Sequence, residues 1–396
     1  MPENFGMHVI AGIKALTNNN DWVDQASKNT FFKSVYTQRV HSITPSIVDE
    51  KAFIDDILSL CSQDSYDIIL PFTNSSYYAI SKHAKTLSKF ARFMVPSLEQ
   101  YTLANDKFNA TKFCEKIGVQ TPKVFSEYQD NDIVAISKAV QYPVVIKAKS
   151  GQGVFKGLRF ANNPDELKLF YDQINSIKAA NGSENYSSPL IQEFVPGFIH
   201  DACTLTHKGN IINVLTQKRH VMYPIYGGVG AVNVTTHNPE IDELARKLLE
   251  ALEWNGPAQI EFKLDPRDNK YKFIEINPKL WGTLDLSIKV GMNFPKMIRN
   301  ILLEEEVEKN IKYPSGVRYK FIFPATLAYL QLLNEFGIKG ACDPVAYSKT
   351  LNDFDINDPL ILANRLMHTI WGIISTAGKS PNSNINKNLI NSLKLN

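Results

Sequence analysis

The alternation of apolar and polar positions changes period repeatedly along the chain, and each change marks an element. Residues 8–13 and 67–70 are short apolar runs that read as strands, the second stopped by Pro71. Between them Phe53, Ile54, Ile57 and Leu58 recur at helical spacing over residues 50–60, and residues 91–95 form another strand-like run. Strands alternating with helices predict a small parallel sheet in the first hundred residues. Residues 106–117 read as a helix that stops at Gly118, and the following Val119-Gln120-Thr121-Pro122 reads as a domain boundary.

From residue 122 to about residue 303 strands dominate. Val144, Val145 and Ile146 form a β-branched strand that enters a glycine-rich loop. Asn163, Pro164, Asp165 and Glu166 supply a cap, a first-turn proline and acids suited to a helix dipole. Strands are expected at 190–195, 202–206 and 211–217, with turns at Pro196-Gly197 and Lys208-Gly209-Asn210. Asn238-Pro239 opens a helix carrying Ile241, Leu244, Ala245, Leu248 and Leu252, and strands follow at 258–265 and 271–277. Beyond residue 304, residues 321–336 and 360–374 read as packed helices and 380–396 as a frayed, Asn-rich tail. The expected architecture is α/β and α+β in three parts. They are an α/β domain at 1–104, a central domain at 105–303 split into subdomains at 122–195 and 196–303, and a helical region at 304–396.

With 44% hydrophobic and 21% charged residues, the chain is neither disordered nor fibrous. Lys and Arg number 43 against 40 Asp and Glu, too balanced for bulk charge to argue for a nucleic-acid or other polyanionic partner, and none is expected. The four cysteines are scattered, without a Cys-x-x-Cys pair, so reduced thiols are expected. No apolar run is long enough to span a bilayer, and the N-terminus lacks the basic and apolar regions of a signal peptide. These features predict a cytoplasmic protein with no membrane partner.

Candidate chemistry concentrates in residues 257–282. Every second side chain from Ala258 to Leu264 is apolar, which puts Glu261 on one face with Gln259 and Lys263. Glu275 and Asn277, two apart, also share a face. A five-residue turn at 266–270 pairs Asp265 with Tyr271 and hence Glu261 with Glu275. Adjacent carboxylates repel unless a cation sits between them, and two carboxylates with an amide oxygen suit Mg²⁺ and phosphate. The alternative for Glu261 is a solvated hairpin with incidental acids. Lys147 ends a buried strand just before the loop at 149–157, where Gly151 and Gly153 flank Gln152, so the backbone can approach phosphate oxygens. Pro196-Gly197 ends a strand abruptly and leaves backbone groups around Glu193 and Val195 able to read a base edge.

The order of these elements resembles the ATP-grasp superfamily, in the carboxylate–amine ligase branch related to carbamoyl-phosphate synthetase and biotin carboxylase. The resemblance covers about residues 53–303. It rests on Asn105-Asp106-Lys107, Gly118-Val-Gln-Thr-Pro122, Tyr142-Pro-Val-Val-Ile-Lys147, the glycine loop, Gln192-Glu-Phe-Val-Pro-Gly197 and Glu275-Ile-Asn-Pro-Lys279, with its continuation from Leu280 through Pro295. It implies an ATP-grasp fold with a Rossmann-like pre-ATP-grasp domain at the N-terminus. That domain should be shortened, because the usual opening strand, glycine turn and helix are missing before residue 8.

By the same resemblance Lys107 and Lys147 contact ATP phosphates under a closing loop of Gly151, Gln152 and Gly153. Gln192, Glu193, Phe194 and Val195 surround adenine, and Asp201, or else His200, holds the ribose. Glu261, Glu275 and Asn277 ligate Mg²⁺, with Mn²⁺ as the alternative ion. Lys279 stands where the family usually has arginine, and keeps the charge but loses the bidentate fork. Arg219, ahead of Gly227 and Gly228, is the expected anchor for a substrate carboxylate, against the alternative of a strand-end surface charge; His220 is read as structural. The activity so implied is ATP-dependent joining of a small-molecule carboxylate and an amine through an acyl phosphate, with a homodimer as the candidate assembly. A kinase, a carboxylase or a non-catalytic nucleotide-binding regulator are the alternatives.

Overall fold

The helices begin where short polar side chains satisfy their first backbone N–H groups, and these caps fix the positions of several candidate residues. The computed structural model describes residues 9–11, 41, 43–63, 66–127, 131–151, 157–225, 228–341 and 349–354. The expectations for Gln152, Gly153, Gly227, Cys342 and residues 360–374 and 380–396 lie outside these. In the N-terminal part, β1 (Val9–Ala11) runs parallel to β2 (Ile68–Leu70), and Ile68 makes a parallel bridge to Arg92. Helix α1 (Glu50–Gln63) buries Phe53, Ile54 and Ile57 against Ile69, Tyr77 and Ile80 of β2 and α2 (Asn74–Lys82). The small parallel sheet is therefore present.

Helix α3 (Leu98–Asn105) leads to Asp106, whose carboxylate accepts from the N–H groups of Phe108 and Asn109 and caps α4 (Lys107–Lys116). The cap makes Lys107 the first helical residue, and its N–H donates to the Lys149 carbonyl at 2.7 Å. The start of α4 is thereby tied to the loop after the strand that carries Lys147. Helix α5 (Ile133–Ala139) precedes a three-stranded antiparallel sheet, in the order β4 (Leu158–Ala161), β3 (Val144–Lys147), β5 (Leu190–Glu193). Asn163 caps α6 (Pro164–Asn175), which lays Leu167, Phe170 and Ile174 on Val144, Ile146 and Ile191 of that sheet.

The larger sheet has seven strands in the order β10-β9-β6-β7-β8-β11-β12. They are β6 (Ile199–His207), β7 (Asn210–Tyr223), β8 (Val229–Thr236), β9 (Gly256–Asp265), β10 (Lys270–Asn277), β11 (Val317–Lys320) and β12 (Lys349–Asn352). Only β11 and β12 pair in parallel. Helix α7 (Pro239–Ala251), capped by Asn238, packs Ile241, Ala245, Leu248 and Leu249 with Trp254, Phe262 and Phe273. Below the other end, α8 (Leu284–Lys289) and α9 (Phe294–Leu302) bury Leu286, Phe294 and Ile298 with Trp281.

Three strands depart from the expectation. β8 is interrupted by Gly230 and Asn233, which mask its alternation; the Asn233 amide donates back to the Gly230 carbonyl at 2.9 Å. Past residue 304 the expected helix is present as α10 (Ile322–Ala341), broken at Gly337 (φ 65°, ψ −167°), but β11 and β12 flank it and extend the large sheet, so this region is not helical alone. Cys61, Cys114 and Cys203 are free thiols, and among the described residues no helix is long and apolar enough to cross a membrane.

Leu248 is fully buried in the α7 core. Its replacement by alanine should lower stability by about 2–5 kcal/mol, read as a lower urea midpoint. Loss of the exposed Lys168–Asp172 pair, 66% and 58% accessible, should cost less than about 1 kcal/mol in the same assay.

Candidate active site

Two differences from the expected hairpin cancel at the acids. Asn269 takes the left-handed conformation (φ 55°) and its N–H closes on the Asp265 carbonyl at 2.8 Å, so β10 starts at Lys270, opposite Asp265. That register alone would set Ile274 against Glu261. A bulge between Phe273 and Glu275 absorbs one residue and returns Glu275 to the place opposite Glu261. The face that carries Gln259, Glu261 and Asn277 is not solvated: Gln259 is 7% and Glu261 5% exposed. An incidental solvated hairpin is excluded by that burial.

Asn277 closes the group, its Nδ2 lying 3.0 Å from Glu261 Oε1 and 3.4 Å from Glu275 Oε1. Lys107 Nζ sits 3.2 Å from Glu275 Oε2. Lys147, buried at the end of β3, faces the same acids: burial pulls it down to about 8, while Glu275 and Glu261 oppose that pull. Burial also lowers Lys279, against the charges of Glu275 and Glu261. Burial disfavours the charged form of Glu275, but Lys107 and Lys147 outweigh it and hold the carboxyl down at about 2. At Glu261 burial wins: together with Glu275 and Asp201 it pushes the carboxyl up, against Arg219, to about 7.

Arg219 requires a correction. It is neither a surface charge nor a free anchor, since its Nε and Nη2 donate to Asp201 Oδ2 and Oδ1 at 3.1 and 2.8 Å, and Nη2 also donates to Glu261. A guanidinium forked in this way onto two carboxylates of its own chain holds Glu261 in place. Asp201 is corrected with it. It has no exposed surface, and Gln217 Nε2 donates to its Oδ2 at 3.0 Å, so both oxygens are committed within the protein and none is left for a ribose. His200 packs edge-on against Tyr271, and burial with Lys218 nearby drops it to about 4, which keeps the ring neutral.

At the end of β5 the chain turns through Gly197 (φ 100°), where a Cβ would meet the Leu264 carbonyl at 2.7 Å. Only glycine lets the turn lie this close to β9. The Glu193 N–H donates to the Lys123 carbonyl at 2.8 Å, and its carboxylate pairs with Arg267 at 2.6 Å, so neither group reads a base edge. The Gln192 side chain is buried beside Thr111, and Phe194 stands edge-on to Phe160. The Val195 carbonyl accepts from Lys263 Nζ at 2.9 Å. Lys263 has the polar-face spacing that marks Glu261, two residues away, and that spacing could have flagged it. At the other end of the cleft, Gly228 closes the turn between β7 and β8 by donating to the Pro224 carbonyl at 2.9 Å, and a Cβ there would collide with the Tyr223 carbonyl. Gly151 has a φ of 108°, as a loop glycine of this kind requires.

The cluster fits a hard divalent cation. Two carboxylates converge with an amide that presents oxygen when rotated, and cations behind the acids keep at least Glu275 ionised. Among the described residues no group of three or more His, Cys, Asp or Glu side chains could hold a metal, so the protein offers part of a coordination shell and not a closed cage.

Comparison with known proteins agrees with this layout. Residues 106–291 match the family described as carbamoyl-phosphate synthase L chain, ATP binding domain. The coenzyme γ-F420-2:α-L-glutamate ligase of Methanococcus maripaludis is 29% identical over 218 residues, which is 52% of this chain and 70% of the relative. The D-aspartate ligase of Enterococcus faecium is 23% identical over 301 residues, 69% of this chain and 68% of that one. A biotin carboxylase of Nostoc is 27% identical over 48% of this chain, but the match spans only 43% of that protein. Among solved structures, the biotin carboxylase domain of Hydrogenobacter thermophilus 2-oxoglutarate carboxylase, in complex with MgADP, ADP and bicarbonate, superposes with a TM-score of 0.58 at 18% identity. That match covers 74% of this chain and 65% of that one. An L-amino acid ligase from Bacillus licheniformis gives 0.54 at 17% identity, over 69% and 66% of the two chains. Residues 106–291, a little under half of the chain, thus match a carbamoyl-phosphate-synthase-type ATP-binding domain, and within them a three-stranded sheet carries Lys147 and two strands of the seven-stranded sheet carry the paired acids.

Proposed function

We propose that this protein is an ATP- and Mg²⁺-dependent ligase that joins a small-molecule carboxylate to an amine through an acyl phosphate, releasing ADP and phosphate. The observation that carries the reading is the register pairing of Glu261 with Glu275, with Lys107 3.2 Å behind the second acid and Lys147 facing both. Mg²⁺ held by Glu261, Glu275 and Asn277 would neutralise the phosphate oxygens during transfer. Lys107, from α4, and Lys147, from β3, would position the triphosphate. Lys279, next to both acids, would meet the charge that builds on the transferring phosphoryl group. Arg219 and Asp201 keep Glu261 aimed inward.

A free carboxylate resists attack because a second negative charge would develop on it; as an acyl phosphate it carries a good leaving group. Positioning and charge neutralisation are all the protein has to supply, and no nucleophilic side chain is needed. The similarity to biotin carboxylases supports a second reading, in which bicarbonate is the acid that is phosphorylated. ADP release that depends on bicarbonate and not on an organic acid would favour it. A screen of organic acids with hydroxylamine as the amine separates the two, since acyl phosphates are captured as hydroxamates. Absence of acid-dependent ADP release across a broad set would contradict the ligase reading.

Glu275→Ala should reduce turnover by at least about 10³-fold while the far-ultraviolet circular dichroism spectrum stays native. Retention of near-normal turnover would show that the acid pair holds no catalytic ion.

The pH profile has a defined sign. Glu261 must lose its proton to bind a cation, so activity should rise as pH increases through about 7. Lys147 must keep its proton to hold phosphate, so activity should fall as pH rises through about 8. A bell-shaped kcat/KM with limbs near these values is expected, and raising Mg²⁺ should move the acid limb to lower pH.

A further inference from the structure

Thr283 stands at the N-terminus of α8, where a threonine side chain ordinarily accepts from a backbone N–H of the first turn. It makes no such bond. The residue is buried, and its Oγ1 lies 2.8 Å from Gln217 Nε2 and 3.0 Å from Gln217 Oε1 instead. A helix start that forgoes its cap departs from local preference, and such departures collect where a side chain is needed elsewhere.

Gln217, on β7, has no exposed surface, so its amide must be satisfied inside the protein. A carboxylate paired with a guanidinium accepts and does not donate, so the NH₂ end of Gln217 has to face Asp201, and Nε2 donates to Oδ2 there at 3.0 Å. The amide oxygen is left to accept from Thr283 Oγ1. Asp201 in turn accepts from Arg219 through both of its oxygens, and Arg219 Nη2 donates to Glu261. Thr283, Gln217, Asp201, Arg219 and Glu261 therefore form one unbroken series. It runs across the sheet, with Asp201 opposite Gln217 on one side and opposite Glu261 on the other. One end lies shortly after Lys279 in the chain, and the other is an acid of the proposed ion site.

We propose that Thr283 and Gln217 are positioning residues for the divalent ion. They fix the fork between Asp201 and Arg219, and through it the direction in which Glu261 presents its carboxylate. Backbone pairing sets where the Glu261 backbone lies, but its side chain still has several rotamers, and bonds to its carboxylate choose among them. The proposal rests on the ion reading of the preceding subsection and deepens it. Neither residue is among the groups assigned to the ion or to phosphate.

The test is Mn²⁺ binding to the full chain at fixed ADP, followed by the loss of the free-ion electron paramagnetic resonance signal, which requires no knowledge of the acid substrate. Thr283→Val keeps the shape and removes the hydroxyl, and Gln217→Met removes the amide. Each should weaken Mn²⁺ binding by about threefold or more, as loss of groups behind a metal ligand does. Thr283→Ser, which retains the hydroxyl, should bind as the wild type does. Thr204 supplies a control outside the series: it is fully buried on β6, and its hydroxyl donates to the Ala258 carbonyl at 3.0 Å. Thr204→Val should lower the urea midpoint and leave Mn²⁺ binding unchanged. Thr283→Val and Gln217→Met constants within about threefold of the wild type, with lowered urea midpoints, would show that the two residues only brace the fold. Equal weakening in Thr204→Val would overturn the proposal too, as a general loosening of the sheet. If one variant fails to fold, the other carries the test. Absence of any Mn²⁺ site in the wild type would instead overturn the ion reading, and this proposal with it.

Discussion

Everything in the cleft depends on two like charges being held side by side. Like charges about 4 Å apart repel by about 4 kcal/mol at an effective dielectric near 20, and backbone pairing in the β-ribbon sets Glu261 directly opposite Glu275. The protein offsets the repulsion unequally. Glu275 faces Lys107 and Lys147, and remains ionised; Glu261 is buried deeper, with Arg219 as its counter-charge and Asp201 behind. The residual tension at Glu261 is what a divalent cation would relieve.

The cations come from different parts of the chain, which explains why the site links several elements. Lys107 is placed by the Asp106 cap of α4, Lys147 by the last position of β3, and Lys279 by the turn that follows β10. The 2.7 Å bond from the Lys107 N–H to Lys149 fixes the first two relative to each other. Arg219 belongs to β7, two strands away from β9, and reaches Glu261 across β6 at the level of Asp201. Truncating Asp201 would leave a buried guanidinium with one partner fewer, so its contribution should be felt at Glu261 before it is felt in the fold.

Much of this was legible in the sequence because it follows local rules. The caps at Asp106, Asn163 and Asn238 marked helix starts, and the alternation from Ala258 to Leu264 placed Glu261 opposite Glu275. That pairing was reached through a turn one residue too long, and the bulge at Ile274, which local pattern does not encode, compensated for it. What was not legible is tertiary. The burial of Asp201 and Arg219 depends on which strand lies beside which. β11 and β12 become strands by joining an existing sheet edge. Lys263 carried the right spacing, but its partner, the Val195 carbonyl, is 68 residues distant in sequence.

The most direct test of the central claim is electron paramagnetic resonance of Mn²⁺ added to the protein with and without ADP. One tight Mn²⁺ site should form with ADP present and be lost in both Glu261→Gln and Glu275→Gln variants that remain folded. Mn²⁺ bound with equal affinity in the wild type and in these two variants would contradict it.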